Sequence, residues 1–308
     1  MRGDRVYSIL IVNYNGERYL RPCLDALRTQ TLPKHRYEVI LVDNGSADGS
    51  VPFVREHYPE VYVVEAGANL GFTGGNNLAA EVAHGDAVVL LNTDTVVDPT
   101  WLERLVDRHE RDGGSVVSKL VFDADPAEIN GTGLRLLRDG RWTDRGFRSP
   151  DRGQFETSTE TWAGCGAAVL LPKSEAYFVL DPRYFMYYED LDRGWGDRLA
   201  GATCRYEPSA LVRHVHCGSS GEWSPFFTFH VERNRSLAAL KNGDFLLAVL
   251  SALGLFARAG RALMRYAVSG CARGKGRLLA AHFRATLSYL RHFPAVLIAR
   301  YQRRRGWL

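Results

Sequence analysis

The fold is decided by residues 7–46, which read YSILIVNYNGERYLRPCLDALRTQTLPKHRYEVILVDNGS. The apolar run at residues 7–12 predicts a buried strand, and leucines at 20, 24 and 27 have the spacing of one helix face. Residues 38–42 predict a second strand, which again runs into a polar turn. A strand, a helix and a strand in this order predict a parallel pair joined by a helical crossover.

The same alternation of strands and helices continues to about residue 112. Further strands and helices are predicted over residues 51–57, 61–65, 76–82, 87–91 and 99–111. Apolar strands that alternate with helices indicate a parallel sheet covered on both faces. We therefore predict an α/β fold with a doubly wound first half, whose ligands lie at the carboxyl ends of the strands.

The second half of the chain is less regular. Residues 115–122 predict a strand and residues 123–160 a charged, loop-rich region. The segment WAGCGAAVLL, residues 162–171, predicts a buried strand in which glycine lets the backbone approach a ligand closely. Shorter elements are predicted over residues 189–200 (helix), 204–207 (strand) and 230–241 (helix).

Polar side chains follow three of the predicted strands. They are Asn13-Tyr14-Asn15, Asp43-Asn44 and Asn92-Thr93-Asp94. Because parallel strands end at one edge of a sheet, these side chains are predicted to meet there, although Asn and Asp also favour turns. A carboxylate such as Asp94 suits Mg²⁺ or Mn²⁺, which prefer oxygen ligands, or else it caps a turn.

A glycine-rich segment, NLGFTGGNN at residues 69–77, is predicted to be a loop between a strand and a helix. Its backbone amides are able to meet a pyrophosphate, and the alternative is a tight connection. The spacing matches neither the dinucleotide fingerprint nor the P-loop.

Two further groups of ionisable residues follow. Glu189-Asp190 opens a predicted helix, where the carboxylates either complement the helix dipole or supply a general base. His214 and His216 alternate in a predicted extended segment within a polar loop, so they are expected to face opposite ways. At most one of them is then expected in a given site.

The bulk composition excludes some classes of protein. With 45% hydrophobic and 24% charged residues in 308, wholesale disorder is not expected. Five cysteines without a C-x-x-C pair indicate neither a zinc knuckle nor a disulfide framework. The odd cysteine count and the lack of an N-terminal signal pattern predict a reducing, cytoplasmic setting.

The net charge of +4 conceals a split. From Lys241 onward the chain has 13 basic residues and one acid, Asp244, so residues 1–240 carry −8 and residues 241–308 carry +12. The apolar positions 245, 249, 253 and 256 and the arginines at 258, 261 and 265 predict an amphipathic basic helix, and residues 277–291 predict another.

This basic tail has three interpretations. Basic amphipathic helices fit an anionic membrane surface, and the alternatives are a helical pair packed on the preceding domain or, with no motif in support, nucleic acid. The longest apolar run, residues 245–257, has 13 residues, fewer than the roughly 20 of a membrane span, so it is not expected to cross a bilayer.

The motifs, taken in order, carry a resemblance. IVNYN, LVDNGS, NLGFTGGNN, LLNTD with DPTWL, a G-C-G-A segment, FMYYEDLD and VRHVHCGSSG together resemble the family 2 glycosyltransferases, most of all their bacterial rhamnosyltransferase-like branch. The resemblance implies a GT-A catalytic domain over residues 1–242, with a nucleotide-binding half to about 112 and an acceptor-binding half after it, then a basic helical tail over 243–308. It also implies an inverting transferase of cell-envelope polysaccharide synthesis that uses a nucleotide-sugar and a divalent cation, Mg²⁺ or Mn²⁺.

The resemblance also implies roles for single residues. Those for nucleotide-sugar binding are Asn13, Tyr14, Asn15, Asp43, Asn44, Asn69, Gly71, Asn77 and Asn92. Asp94 and His214 would hold the metal ion, and Asp190 would be the catalytic base with Glu189 positioning the acceptor. The acceptor pocket would include Trp162, Gly164 and Gly166.

Two departures from the family pattern and two rival functions accompany this hypothesis. Asn92 replaces the first acid of the D-x-D motif, so weaker metal binding is expected. Gly196 replaces an arginine of the family pattern. Arg198 is a poor substitute for that arginine, because it lies roughly 200° further around a helix. The rivals are a sugar-phosphate nucleotidyltransferase, which opens with G-G-x-G-T-R rather than Asn-Tyr-Asn-Gly, and a non-catalytic glycan- or lipid-binding relative.

Overall fold

The computed structural model of the chain describes residues 5–136, 142–173, 179–216, 224–269 and 275–304. The end of the VRHVHCGSSG motif, residues 270–274 and residues 305–308 lie outside the described residues. The helices are α1 (Glu17–Arg28), α2 (Ser50–His57), α3 (Gly71–Val82), α4 (Trp101–Asp112), α5 (Glu189–Leu199), α6 (Pro225–Asn242), α7 (Phe245–Ser269) and α8 (Lys275–Arg304).

Thirteen strands are described. They are β1 (Tyr7–Asn13), β2 (Tyr37–Asp43), β3 (Tyr62–Glu65), β4 (Ala87–Asn92), β5 (Thr95–Val97), β6 (Ser115–Phe122), β7 (Glu128–Gly131), β8 (Leu134–Leu136), β9 (Trp142–Asp144), β10 (Ser149–Pro150), β11 (Glu160–Thr161), β12 (Ala168–Pro172) and β13 (Cys204–His214). The main sheet runs in the order β10-β7-β6-β12-β4-β1-β2-β3, with β5, β11 and β13 branching from it.

The first half of the sheet confirms the predicted parallel, doubly wound arrangement. β1 pairs in parallel with β2 and β4, and β2 pairs in parallel with β3. β12 then lies antiparallel between β4 and β6, so the complete sheet is mixed.

Side chains from the central strands enter two hydrophobic clusters, one on each face of the sheet. Ile9 and Ile11 of β1 pack in the cluster that contains residues of α1, α2 and α4, whereas Leu10 packs in the cluster that contains residues of α3. β2 and β4 alternate in the same way. This burial on both faces explains the continuous apolar runs inside these strands, and burying each leucine or isoleucine contributes about 2 kcal/mol.

Three predicted elements differ from the structure. The segment predicted as a glycine-rich loop is mostly helix, because α3 already begins at Gly71. The predicted strand at 162–171 is shorter, since β12 begins at Ala168. The predicted short strand at 204–207 continues as β13 through His214, which therefore ends a strand and does not lie in a loop.

The chain forms two compact units. The first comprises residues up to Pro182 together with Arg193–His216, and the second comprises Arg183–Asp192 together with the residues from 217 onward. In the second unit, α6 packs against both α7 and α8, around a core that includes Leu237, Leu255 and Tyr289. The boundary between the two units does not lie at residue 242, because α6 packs against the tail helices and is part of the same unit.

The tail forms the helices α7 and α8, as predicted, and α7 continues beyond its unbroken apolar run. Within it, Phe245–Val268 is 24 residues long, and an 18-residue window of this stretch has a mean hydropathy of 1.6, with 17% of the window buried. By length and composition this helix is able to cross a membrane, so the expectation that it is too short was wrong. Counting uninterrupted apolar letters had stopped at Arg258.

Candidate active site

The ends of the parallel strands bring the predicted polar residues to one edge of the sheet. Asn13 and Asp43 end β1 and β2 and lie opposite each other in register. Asn92 ends β4 and lies opposite Val12, one residue before Asn13. The expectation that these strand ends meet is therefore confirmed.

A buried hydrogen-bond network fixes the first of these residues. The Asn13 amide Nδ2 donates to Asp43 Oδ1 at 3.1 Å and to Ser46 Oγ at 3.1 Å, and the Ser46 backbone N–H donates to Asp43 Oδ2 at 2.9 Å. Asn13 Oδ1 is buried and has no hydrogen-bond partner. Such an atom requires an explanation in a native structure, and a bound ligand is one.

Tyr14 and Asn15 continue this edge towards solvent. Asn15 has a left-handed backbone with φ of 51°, its N–H donates to Ser46 Oγ at 2.9 Å, and its Oδ1 accepts from Ala47 N at 2.8 Å. The Tyr14 side chain is exposed beside it. Ser46 thus joins three backbone and side-chain groups. Ser46 belongs to the LVDNGS motif, but no role was predicted for it from the sequence.

The glycine-rich segment packs against the sheet. A Cβ on Gly75 would lie 2.7 Å from Val12 Cγ1, so glycine allows α3 to approach β1 closely. Asn69 Oδ1 accepts from the Gly71 N–H at 2.9 Å, and Asn44 Nδ2 donates to the Gly71 carbonyl at 2.9 Å. The loop interpretation was therefore wrong, because these glycines serve helix packing.

Asn77 has its polar atoms engaged within the protein. Its Nδ2 donates to the Leu180 carbonyl at 2.8 Å, and its Oδ1 accepts from the Leu180 N–H at 2.9 Å. These two hydrogen bonds satisfy the backbone N–H and carbonyl of the buried Leu180. The structure therefore gives Asn77 a role in the fold and does not support its predicted contact with the diphosphate.

Asp94 and His214 come together as predicted. β13 pairs antiparallel with β5, which places His214 opposite Thr95, the residue after Asp94. His214 Nε2 lies 3.3 Å from Asp94 Oδ1, and both side chains are largely buried. The other ring nitrogen, Nδ1, donates to Asn130 Oδ1 at 2.9 Å. In the neutral ring the Nε2 lone pair therefore faces Asp94.

Asn130 also contacts the second histidine. Its Nδ2 donates to His216 Nδ1 at 3.2 Å, and the two histidine rings are 6.1 Å apart. The expectation that His214 and His216 face opposite ways was therefore wrong, because the strand ends at His214. One amide thus selects the tautomer of both rings. Asn130 was missed, since no local pattern marks it within a loop-rich stretch.

The Asp94–His214 pair suits a divalent cation. Adjacent ligands of an ion with bonds of about 2.1 Å lie about 3 Å apart, close to the 3.3 Å between Asp94 Oδ1 and His214 Nε2. Among the described residues there is no group of three or more His, Cys, Asp or Glu side chains that could hold a metal ion. Two protein ligands leave positions for substrate oxygens and water, as Mg²⁺ usually requires.

Trp162, one of the predicted acceptor residues, belongs to a cluster of three tryptophans in the first unit. Trp162 packs on Trp142 at 4.1 Å and on Trp195 at 5.3 Å between ring centroids, and the Arg198 guanidinium lies over the Trp162 ring. Gly164 and Gly166 are buried nearby in sequence, and a Cβ on Gly164 would lie 2.7 Å from Val169. Aromatic faces of this kind suit the apolar faces of sugar rings.

In the second unit, a strained segment leads to Glu189 and Asp190. Phe185, Tyr187 and Tyr188 all have left-handed backbones, with φ of 69°, 69° and 71°. Bulky residues rarely adopt this conformation, which costs on the order of 1 kcal/mol or more at each position. We call residues 184–188 the aromatic turn.

Arg233 and Asn234 of α6 hold the aromatic turn in place. Asn234 Nδ2 donates to the carbonyls of Tyr184, Met186 and Tyr187, at 3.1, 2.8 and 2.7 Å. Arg233 Nη2 donates to the Tyr184 carbonyl at 2.7 Å. These side chains give the carbonyls of the strained turn hydrogen-bond partners, in addition to the Met186 N–H, which donates to the Tyr184 carbonyl at 2.9 Å.

The acidic residues after the turn differ in burial. Asp190 is partly exposed, whereas Glu189 is buried and its Oε2 has no hydrogen-bond partner. Burial, reinforced by the charge of Asp190, raises the pKa of Glu189 well above its ordinary value. Asp190 is therefore the carboxylate with access to a substrate.

Asp192 anchors the start of α5 to α6. Its Oδ2 accepts from Lys241 Nζ at 2.5 Å, and its Oδ1 accepts from Asn242 Nδ2 at 2.7 Å and Tyr184 OH at 3.1 Å. The side chains of Asp192 and Lys241 are both almost fully buried. A buried charge with this many partners fixes the direction of the helix start.

A mixed sheet with a parallel nucleotide-binding half and a polar edge at its strand ends defines a GT-A type transferase. The model of the Glycosyl transferase family 2 matches residues 8–168. The chain belongs to this family, and it is a glycosyltransferase.

The chain is also similar to two named proteins and to one solved structure. It is 30% identical to the N-acetylglucosaminyl-diphospho-decaprenol L-rhamnosyltransferase of Mycobacterium tuberculosis, over 70% of this chain and 78% of that protein. It is 28% identical to the O-antigen biosynthesis protein RfbC of Myxococcus xanthus, over 80% of this chain and 19% of that protein. The crystal structure of S. aureus TarS 1-349 in complex with UDP has a TM-score of 0.52 and 15% identity, covering 98% of this chain and 92% of that one, which supports the fold.

Proposed function

We propose that this chain transfers a sugar from a nucleoside-diphosphate donor to a hydroxyl group of a glycan or lipid-linked acceptor, with inversion at the anomeric carbon. The observation that carries the proposal is the Asp94–His214 pair at the same strand-end edge as the fixed Asn13–Asp43 pair. The rhamnosyltransferase relative makes a rhamnosyl donor the first to test.

The donor would bind along the strand-end edge. Asp43 is held by Asn13 and Ser46, so its carboxylate is preorganised to accept a hydrogen bond from the base. The exposed Tyr14 ring is available to stack on the base. Asp94 and His214 would hold the Mg²⁺ or Mn²⁺ ion, which when bound neutralises the charge that grows on the leaving diphosphate.

The reaction would be a single displacement. Asp190 accepts the proton of the acceptor hydroxyl, whose oxygen forms a bond to the anomeric carbon while the bond from that carbon to the diphosphate breaks. Attack from the face opposite the leaving group inverts the configuration. No enzyme nucleophile takes part, and the chain needs one exposed base only.

The acceptor would be presented at the cytoplasmic face of a membrane. The mycobacterial relative is named for a diphospho-decaprenol substrate. In the second unit, Leu246, Leu250 and Leu253 of α7 form an exposed apolar stripe, with 56–64% of each residue exposed, and arginines lie along its flank. An apolar stripe bordered by arginines suits a helix that lies on an anionic bilayer surface, because arginines at the bilayer centre are costly.

The test of the base is Asp190→Asn. This variant is expected to lower the transfer rate at least about 100-fold, the lower range for removal of a general base. Its affinity for the nucleotide-sugar, measured by calorimetry with Mn²⁺, is expected to remain that of the wild type. Loss of donor binding in this variant, or retention of transfer, contradicts the assignment of Asp190.

A further inference from the structure

The second unit contains a cluster of cationic side chains that no part of the proposed reaction uses. Arg235 Nη2 of α6 donates to Glu232 Oε2 at 2.8 Å, and Arg258 Nε of α7 donates to the same oxygen. His282 of α8 interacts electrostatically with Glu232 and both arginines, and also with Arg265. We call Glu232, Arg235, Arg258 and His282 the arginine cluster.

The charge of this cluster is unbalanced. His282 has one acid and three arginines among its electrostatic partners. Burial, and then the charge of Arg235, lowers the pKa of Arg258, although Glu232 opposes this shift. The two arginines share one carboxylate, so the surroundings of the cluster favour an additional anion.

The arginine cluster also has buried nitrogens without partners. Arg258 Nη2 and His282 Nδ1 are inaccessible to solvent and make no hydrogen bond. Arg258 lies on α7 and His282 lies on α8, so the two unsatisfied atoms are separate observations. Buried polar atoms without a partner are rare in native proteins, and a bound ion explains them.

The cluster lies next to the residues that would receive the acceptor. The Tyr188 side chain interacts electrostatically with Arg235, Glu232 and Arg258 and also with Asp190. On α7, Arg258 lies eight residues after Leu250, about 80° around the helix from the exposed apolar stripe. A molecule that reaches Asp190 and has an apolar chain along the stripe would place a phosphate that lies between these two parts at the arginine cluster.

We propose that the arginine cluster binds the diphosphate group of a lipid-linked acceptor, with Arg258 and Arg235 as its ligands and the lipid chain along the α7 stripe. This inference rests on the proposed function. Arginine presents a planar fork of donors that matches phosphate oxygens. Glu232 accepts hydrogen bonds from both forks and therefore competes with the diphosphate for them.

The first test measures binding of inorganic pyrophosphate by calorimetry in EDTA, which weakens metal-dependent binding at the donor site. Arg258→Gln is expected to lower the affinity of the wild type about 10-fold or more, the usual value of a charged hydrogen bond. The matched control is Arg291→Gln on the exposed surface of α8, which should bind as the wild type does. Equal binding by Arg258→Gln and the wild type overturns the proposal.

Glu232→Gln separates an anion site from a purely structural ion pair. If the cluster only joins helices, this variant destabilises the protein and leaves pyrophosphate affinity unchanged. If the cluster binds an anion, removal of the competing carboxylate raises the affinity. Thermal unfolding of each variant shows that it is folded, and Arg258→Lys, which keeps the charge, is expected to recover part of the binding.

The last arm identifies the source of the phosphate. With a polyprenyl-diphosphate-linked acceptor, Arg258→Gln is expected to raise KM for the acceptor about 10-fold or more and to leave KM for the donor unchanged. If instead the variant loses only its binding to phosphatidylglycerol vesicles, the cluster recognises lipid headgroups and the acceptor assignment is overturned. Pyrophosphate binding that depends on Arg258, in a wild type without transferase activity, refutes the proposed function and leaves the anion site standing.

Discussion

Asn130 determines the chemical state of two histidines with a single side-chain amide. Its oxygen accepts from His214 Nδ1 and its nitrogen donates to His216 Nδ1, so the two rings are fixed as opposite tautomers. Only the His214 tautomer places a lone pair towards Asp94. A residue with no charge therefore decides whether this pair is able to coordinate a cation.

Replacement of Asn130 by leucine tests this role. Asn130→Leu is expected to weaken Mn²⁺ binding about 10- to 100-fold, because outer residues that orient a metal-binding histidine have effects of this size. Calorimetric titration with Mn²⁺ measures it without any turnover. Asn69→Leu, at an exposed position, is the control, and unchanged Mn²⁺ affinity in Asn130→Leu contradicts the role of Asn130.

Glu189 gives a prediction about pH. Its pKa is raised by burial, so the folded state keeps the proton on this carboxyl at pH values where the unfolded chain, with a pKa of about 4.3, has lost it. The folded state then binds more protons, and stability decreases as the pH rises through this window. At neutral pH, Glu189 therefore lowers the free energy of unfolding.

The measurement compares urea unfolding of the wild type and Glu189→Gln. The variant cannot ionise, so it is expected to be more stable than the wild type at pH 8, with a smaller difference at pH 5. Glu56→Gln, at an exposed site of α2, should show no such trend. A difference that grows as the pH falls would show that the pKa of Glu189 is lowered.

At the scale of elements, the aromatic turn depends on α6. Three carbonyls of the turn accept from Asn234, so their hydrogen bonds disappear together in Asn234→Ala. The Asn234 amide has two protons to share among these carbonyls, so at about 1 kcal/mol for each net hydrogen bond the variant is expected to lose about 2 kcal/mol of unfolding free energy. Urea unfolding measures this loss, and Thr228→Ala on the first turn of α6 is the control.

The same variant separates positioning from stability. Under conditions where Asn234→Ala remains folded, kcat is expected to fall at least about 10-fold while the affinity for the nucleotide-sugar is unchanged, because the turn leads directly to Asp190. Wild-type kcat in a folded, destabilised protein would mean that the turn has no influence on the base.

The elements also show what the sequence permits one to predict. β1 and β6 were predicted within a residue of their bounds, because an apolar run between polar turns is a local pattern. α3 was predicted to start five residues too late, because glycine and asparagine favour turns and only the packing of Gly75 on Val12 selects a helix.

The candidate site divides in the same way. Asp94 and Asp43 follow apolar strands, so position alone indicated them. The role of His214 came from the family resemblance. Asn130 is 84 residues from His214 and Asn234 is 47 residues from Tyr187, and no local pattern relates such pairs. Their identity depends on strand pairing and helix packing, which are tertiary features.

For the whole molecule, the separation of charge decides where it would act. The 13 basic residues from Lys241 onward reside in the second unit, together with the exposed stripe of α7. An anionic surface would attract these residues, so the charge of the second unit favours its binding to such a surface. Each basic residue near such a surface contributes about 1 kcal/mol, and salt screens the effect.

The double variant Leu250→Glu with Leu253→Glu tests membrane docking in the full chain. It is expected to lower binding to phosphatidylglycerol vesicles at least about 10-fold, since it removes two apolar contacts and adds two repelling charges. Cosedimentation at low and at high salt measures both contributions. Leu199→Glu, an equally exposed leucine of the first unit, is the control, and equal binding by all three proteins excludes the stripe as the docking surface.

The aromatic turn has one more consequence, and it concerns time. Tyr184–Tyr188 leaves the ribosome well before Asn234, which lies 47 residues beyond Tyr187. Until α6 has been synthesised and has folded, nothing holds three aromatic residues in a left-handed backbone, and the chain relaxes to ordinary conformations. The residues that lead to Asp190 therefore acquire their geometry only after α6 has been made. The strands β1 to β4 are made much earlier, so the polar residues at their ends take their positions before the aromatic turn and Asp190 do.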